Sequence, residues 1–87
     1  MNQQEALAWM ADVFEESVEN IRPETRKDEV PGWDSLGILA LIAALDRDFD
    51  IVLDPEAIQA IASIEEILQV LRQQGKLEEE GSRENTV

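Results

Sequence analysis

Ser35 is the residue of this sequence whose position most favours covalent chemistry. It precedes a long apolar run, and Pro31 and Gly32, just upstream, prevent a helix from beginning earlier. Ser35 is therefore predicted at the start of a helix, with either Asp34 or Ser35 itself as the N-cap. Free backbone N–H groups and the positive end of the helix dipole stabilise a phosphate at such a position. A phosphate ester on the Ser35 hydroxyl would thus be favourably placed.

No residue close to Ser35 in the sequence is suited to activate this hydroxyl as a nucleophile. The chain has no His and no Cys, and no Lys lies close to Ser35 in the sequence. These absences exclude Ser–His–Asp and Cys–His nucleophilic sites, and also Cys/His zinc sites. We interpret Ser35 as an acceptor that another enzyme modifies rather than as a catalyst. The alternative, from position alone, is that Ser35 serves only as an N-cap.

Length and charge limit the kinds of partner. The 87 residues allow one small domain, and 20 acidic against 7 basic residues give a net charge of -13. This charge argues against nucleic acid and anionic membranes and favours basic protein surfaces. No apolar run could span a bilayer and Met1–Ala11 lacks the basic start of a secretion signal, so we expect a cytoplasmic protein. The acids between residues 46 and 54 lack the glycine and spacing of an EF-hand loop, so no metal site is predicted.

Four helical stretches must position Ser35. Hydrophobic periodicity and capping signals place them at Asn2–Glu16, from Asp34 or Ser35 to about Asp48, from Asp54 to about Ala60, and from Ser63 to just before Gly75. A long loop, Glu19–Trp33, joins the first two, with Ile21 and Val30 as its expected anchors in the core. The domain is predicted to span residues 1–75. Residues 76–87 are predicted to be a disordered acidic tail, because they contain few apolar residues.

The second helix is apolar nearly all round. One of its faces is expected to join a core made of Phe14, Leu41, Leu45, Phe49, Ile64, Ile67 and Leu71. Leu36 and Leu39 lie on a different face, which is either further core or a partner site. Trp33 is expected to pack the loop against the second helix, the alternative being a role beside a group attached to Ser35.

The segment Gly32–Leu36 (Gly-Trp-Asp-Ser-Leu) resembles the acyl carrier protein family, in which Asp-Ser-Leu opens helix II. The stretch Leu45–Ile51 (Leu-Asp-Arg-Asp-Phe-Asp-Ile), the short third helix and the start of the fourth are similar to that family too. The resemblance covers about residues 5–74. It implies an all-α fold, a small four-helix bundle with a long loop between helices I and II and a short helix III.

The resemblance also implies a function. Ser35 would carry 4′-phosphopantetheine, transferred from coenzyme A by a phosphopantetheinyl transferase. The thiol of this arm would hold acyl intermediates as thioesters and deliver them to enzymes of fatty-acid, lipid or polyketide biosynthesis. The chain itself would be a monomeric carrier and not an enzyme. An aminoacyl or peptidyl carrier is one alternative, and an unmodified helical adaptor that binds a partner through helix II is the other.

The chain departs from fatty-acid carriers on the partner-binding face. Those carriers usually place acids just after Ser-Leu and again one turn later, where this sequence has Gly37 and Ala40. The departure suggests a specialised pathway with more apolar contacts to its enzymes. The expected partners are the transferase and acyl-loading, synthase or transferase enzymes with basic docking patches. The residues expected to meet them are Asp34, Leu36, Leu39, Asp46, Glu56 and Ile58.

Overall fold

The computed structural model describes residues 1–77, so most of the predicted tail, residues 78–87, lies outside the described residues. The four helices are α1 (Gln3–Phe14), α2 (Ser35–Phe49), α3 (Pro55–Ala60) and α4 (Ile64–Gln73), and the loop between α1 and α2 contains short 3-10 turns at Val18–Asn20 and Lys27–Glu29. Within residues 1–77 no β-strand is present, and residues 50–54 form a loop between α2 and α3. The all-α bundle with a long first loop and a short third helix is confirmed.

Side-chain caps begin α1, α2 and α4, whereas the Asp54 side chain makes no capping hydrogen bond at α3. At α1 the Asn2 side chain accepts a hydrogen bond from the Glu5 backbone N–H, and the Glu5 carboxylate accepts one from the Asn2 backbone N–H. At α4 the Ser63 hydroxyl accepts from the Glu66 N–H at 3.4 Å. The Glu66 carboxylate, however, accepts from the Ala62 N–H rather than from that of Ser63. The capping box that the sequence suggests at Ser63 therefore forms in one direction only.

Three helices end on a residue in the left-handed region. These residues are Glu15 (φ 56°), Asp50 (φ 59°) and Gly75 (φ 73°). In each case the next residue's N–H returns to a carbonyl of the last turn, as Ile51 does to Leu45 at 3.1 Å. A glycine takes this conformation without steric cost, whereas the Cβ atoms of Glu15 and Asp50 clash mildly with their own backbone.

The core joins α1, α2 and α4 with the anchored loop. Ile21 and Val30 are buried as predicted, and six of the seven expected core residues are buried: Phe14, Leu41, Leu45, Ile64, Ile67 and Leu71. Phe49 is the exception, because it is the last residue of α2, at the margin of the core. It is half-buried and lies edge-on to Trp9, with ring centroids 4.9 Å apart. Leu77 is also buried, so packing continues two residues past the predicted boundary at residue 75.

A polar contact ties the start of the chain to the end of α2. The Trp9 indole Nε1 donates to Asp48 Oδ2 at 2.8 Å, and Arg47 donates to both oxygens of the same carboxylate at 2.8 and 2.9 Å. The hydrogen bonds from Arg47 and then from Trp9 lower the pKa of Asp48 from 3.8 to about 2. The carboxylate is therefore more stable as an anion in the folded protein than in the unfolded chain.

This pKa shift gives a prediction for acid stability. A lowered folded-state pKa adds stability that is fully present above the unfolded value near 3.8 and is lost as the pH falls toward about 2. The melting temperature of Asp48→Asn should therefore lie below that of wild type at pH 6, and the difference should shrink between pH 4 and about 2. Thermal melts across this range test it. An equal difference at both ends would show that Asp48 acts through neutral hydrogen bonding alone.

Candidate functional site

Ser35 is the first residue of α2 and is exposed. The N-cap is Asp34, whose side chain accepts a hydrogen bond from the Gly37 backbone N–H at 2.9 Å. Within residues 1–77 the Ser35 hydroxyl makes no hydrogen bond. Of the two N-cap candidates in the sequence, Asp34 is therefore the one that caps α2, and the hydroxyl of Ser35 is free for another role.

Two glycines fix where α2 begins. A Cβ atom on Gly32 would lie 1.9 Å from the Phe14 carbonyl oxygen, and one on Gly37 would lie 2.0 Å from the Gly32 carbonyl oxygen. No side chain fits at either distance, so the loop passes directly between the end of α1 and the first turn of α2. The absence of an acid at position 37 therefore has a packing reason in this protein.

Trp33 holds the loop that precedes Ser35. Its side chain is buried, and its ring stacks on Phe14 with centroids 4.9 Å apart and planes 17° apart. The predicted anchoring role is confirmed, although the stacking partner lies on α1 and not on α2. A second contact holds the same loop near the end of α1, because the carboxylate of Glu16, two residues past α1, accepts from the Gly32 N–H at 3.3 Å.

An apolar strip runs along the outer side of α2 from the residue after Ser35. Leu36 is 75% exposed and Leu39 is 62% exposed, and Ala43, one turn further on, is exposed as well. The sequence left open whether this face was core or surface, and the structure places it on the surface. We refer to Leu36, Leu39 and Ala43 as the α2 strip.

The remaining residues expected to meet partners differ in exposure. Asp34, Asp46 and Glu56 are exposed. Ile58 is completely buried, and it is the one residue of the short helix α3 that packs in the core. The structure thus places Ile58 in the core and not on the surface where partner contact was expected.

The start of α2 fits a phosphate ester on Ser35. The Gly37 N–H is used by Asp34 and the Ile38 N–H by the Asp34 carbonyl. The N–H groups of Ser35 and Leu36, in the same turn, have no acceptor within residues 1–77, and they would face an anion attached there. The described residues contain no cluster of acids suited to a metal ion. None of the helices in residues 1–77 is both long and apolar enough to cross a bilayer.

Comparison with known proteins gives one match. The family model for the phosphopantetheine attachment site matches residues 6–71, a span that contains the whole site described above. Searches of curated proteins and of solved structures gave no match. Proteins of the matched family are non-catalytic carriers that work with transferases and synthases, and their domain is the place where 4′-phosphopantetheine becomes covalently attached. The chain therefore belongs to the phosphopantetheine attachment family and has the role of a phosphopantetheine carrier.

Proposed function

We propose that Ser35 is the attachment residue and that the protein is an acyl carrier of a specialised biosynthetic pathway. The observation that carries the proposal is the exposed Ser35 hydroxyl, which is left free because Asp34 caps α2. In the modification, the Ser35 oxygen attacks the phosphorus of coenzyme A that bears pantetheine, and 3′,5′-ADP leaves. The hydroxyl proton passes to a base of the transferase, since the Ser35 hydroxyl has no hydrogen-bond partner within residues 1–77 and the Asp34 carboxylate beside it accepts from the Gly37 N–H.

The chain's own contribution is to hold the arm and to present a surface to partner enzymes. A thioester at the end of a tethered arm reaches each enzyme at a high effective concentration, so docking can be weak and short-lived. The α2 strip begins at the residue after Ser35 and offers the apolar centre of such a surface. Asp34, Asp46 and Glu56 are exposed and would steer basic partner patches toward it.

Intact mass tests this proposal. Coexpression with a phosphopantetheinyl transferase should shift the mass of the whole protein by one phosphopantetheine, and peptide fragmentation should locate the group on Ser35. A protein that stays at its apo mass with several transferases would instead support an unmodified adaptor, for which the exposed α2 strip is the favouring observation. Loading of the holo protein with acyl or aminoacyl donors then separates an acyl carrier from an aminoacyl carrier.

The α2 strip gives a second prediction. Because Leu39 is mostly exposed, Leu39→Ala should change the free energy of unfolding by less than about 0.5 kcal/mol. It should weaken binding to the transferase by more than about 1 kcal/mol if Leu39 lies at the centre of the interface. Calorimetric titration and urea unfolding measure the two quantities separately. Val52→Ala is the matched control, since Val52 is an equally apolar exposed residue outside α2; equal loss in both variants would contradict the role of the strip.

A further inference from the structure

A cavity of about 210 Å³ lies between the end of α1 and the first turns of α2, and we refer to it as the α1–α2 cavity. Its lining comes from α1 and its cap, from the loop and from α2, and includes Val13, Glu15, Gly32, Asp34, Leu36 and Ala40. Gly32 cannot carry a Cβ atom at this place, so that part of the wall is bare backbone. The cavity therefore belongs to the close crossing of the chain between the two helices.

The α1–α2 cavity lies next to Ser35. Asp34 and Leu36, the two neighbours of Ser35 in the chain, both line it, and their Cα atoms are each about 3.8 Å from that of Ser35. Pockets for free drug-sized ligands usually span about 300–1,000 Å³, so this cavity is small for a free ligand. A group tethered to Ser35 can use a weak site, because the tether keeps its effective concentration high. The position and size of the cavity therefore favour a group attached to Ser35.

Apolar side chains and acidic residues share the lining. Val13, Leu36 and Ala40 are apolar and Asp34 and Glu15 are acidic, whereas none of the described residues that line the cavity is cationic. The Asp34 carboxylate is held at the first turn of α2 by the backbone N–H that it caps. Carboxylates repel an anion over such short distances. The lining therefore suits an uncharged group that has both apolar surface and hydrogen-bond donors.

The phosphopantetheine arm offers its groups in a matching order from Ser35. The phosphodiester comes first and would stay at the start of α2, where the N–H groups of Ser35 and Leu36 have no acceptor within residues 1–77. The pantoyl group follows, and it is uncharged and carries two methyl groups and a hydroxyl. Its methyl groups suit the apolar walls at Val13 and Ala40, and its hydroxyl is a donor for a carboxylate oxygen.

We propose that the α1–α2 cavity holds the pantoyl group of the arm in the holo protein. The inference rests on the proposed attachment at Ser35. The cavity is too small for the whole arm, so the thiol end would remain outside it. Leu36 belongs both to the cavity and to the α2 strip. Docking would therefore hold the start of the arm against the surface that partner enzymes meet.

Isotope-filtered NMR tests the proposal on ¹³C-labelled apo protein that a transferase modifies with unlabelled coenzyme A, with intact mass recorded on the same sample. The pantoyl methyl groups should give NOEs to the methyl groups of Val13 and Ala40. They should give none to Val52, an exposed apolar residue past the far end of α2. A sample that gains no mass contradicts the attachment itself. A sample that gains the mass without an NOE to Val13 overturns docking alone.

Filling the cavity gives an independent readout. Ala40→Leu places a larger side chain at a half-buried lining position, so in fully modified protein the NOEs from the pantoyl methyl groups to Val13 should be lost. Val13→Leu narrows the cavity from α1 and covers the case in which Ala40→Leu does not fold, since it should remove the NOEs to Ala40. Ala8→Leu, at an exposed position of α1, is the control and should keep both sets. NOEs that persist in the filled variants would overturn the proposal.

Discussion

Ser35→Ala protein is expected to fold as wild type does and to accept no prosthetic group. The hydroxyl is the proposed nucleophile toward coenzyme A, and no other side chain shares its place at the start of α2. Its loss should leave the free energy of unfolding within about 0.5 kcal/mol of wild type, because Asp34 and not Ser35 caps the helix. Intact mass after coexpression with the transferase and urea unfolding measure the two effects.

The control is the neighbouring position. Asp34→Ala removes the side chain that accepts from the Gly37 N–H, and this should cost about 1 kcal/mol of stability. Because Asp34 is also expected to meet the transferase, attachment should slow in this variant but still take place on Ser35. The two variants therefore separate capping from attachment. A mass gain in Ser35→Ala, or label on Ser17 or Ser63, would contradict the assignment of the attachment residue.

Gly37→Asp should destabilise the fold severely. It introduces an acid where fatty-acid carriers usually have one, but its Cβ would lie 2.0 Å from the Gly32 carbonyl oxygen. Neither the loop at Gly32 nor the first turn of α2 can shift without moving α2 relative to α1. We therefore expect the free energy of unfolding to fall by about 3 kcal/mol or more, at the upper end for overpacked sites. Chemical unfolding measures the loss, and circular dichroism shows whether the helices persist.

Ala40→Glu is the matched comparison for this variant. It restores the second acid, one turn later, at a half-buried position that borders the α1–α2 cavity of about 210 Å³. It should cost less than about 1 kcal/mol, so the pair distinguishes added charge from steric exclusion. A Gly37→Asp protein as stable as Ala40→Glu would mean that the loop relaxes easily, and the absent acid would then reflect partner choice.

Local signals predict the helices of this protein well. The starts of α2 and α3 follow from Asp34 and Pro55, and the extent of α2 follows from the apolar run after Asp34. Caps and periodicity can be read in this way because they depend on residues close in sequence. The margin of the core was harder to place. Phe49 belongs to the right helix face, but whether it is covered depends on where Trp9 lies, forty positions earlier in the sequence. Such distances are set by tertiary packing and leave no short-range pattern.

The candidate site also contains features that the sequence predicts and features that only the structure shows. Ser35 follows from its motif and its place at a helix start, whereas the use of Asp34 as the cap needed atomic distances. The packing roles of Gly32 and Gly37 were missed, since a glycine in a sequence does not say which backbone approaches it. Two glycines five residues apart around the motif are the one signal that could have suggested a close crossing of chains. The buried Trp33 Nε1 has no hydrogen-bond partner within residues 1–77, and nothing in the sequence indicates this.

The left-handed residues that end α1 and α2 have a consequence for protein engineering. Glu15 and Asp50 both carry a Cβ atom at a position where glycine is free of strain, at a cost of about 1 kcal/mol each. In a domain of this size that free energy corresponds to a melting temperature about 4–8 °C higher. Asp50 lies at the end of α2 opposite Ser35, so glycine there offers a route to a thermostable carrier in which Ser35 and the α2 strip are unchanged.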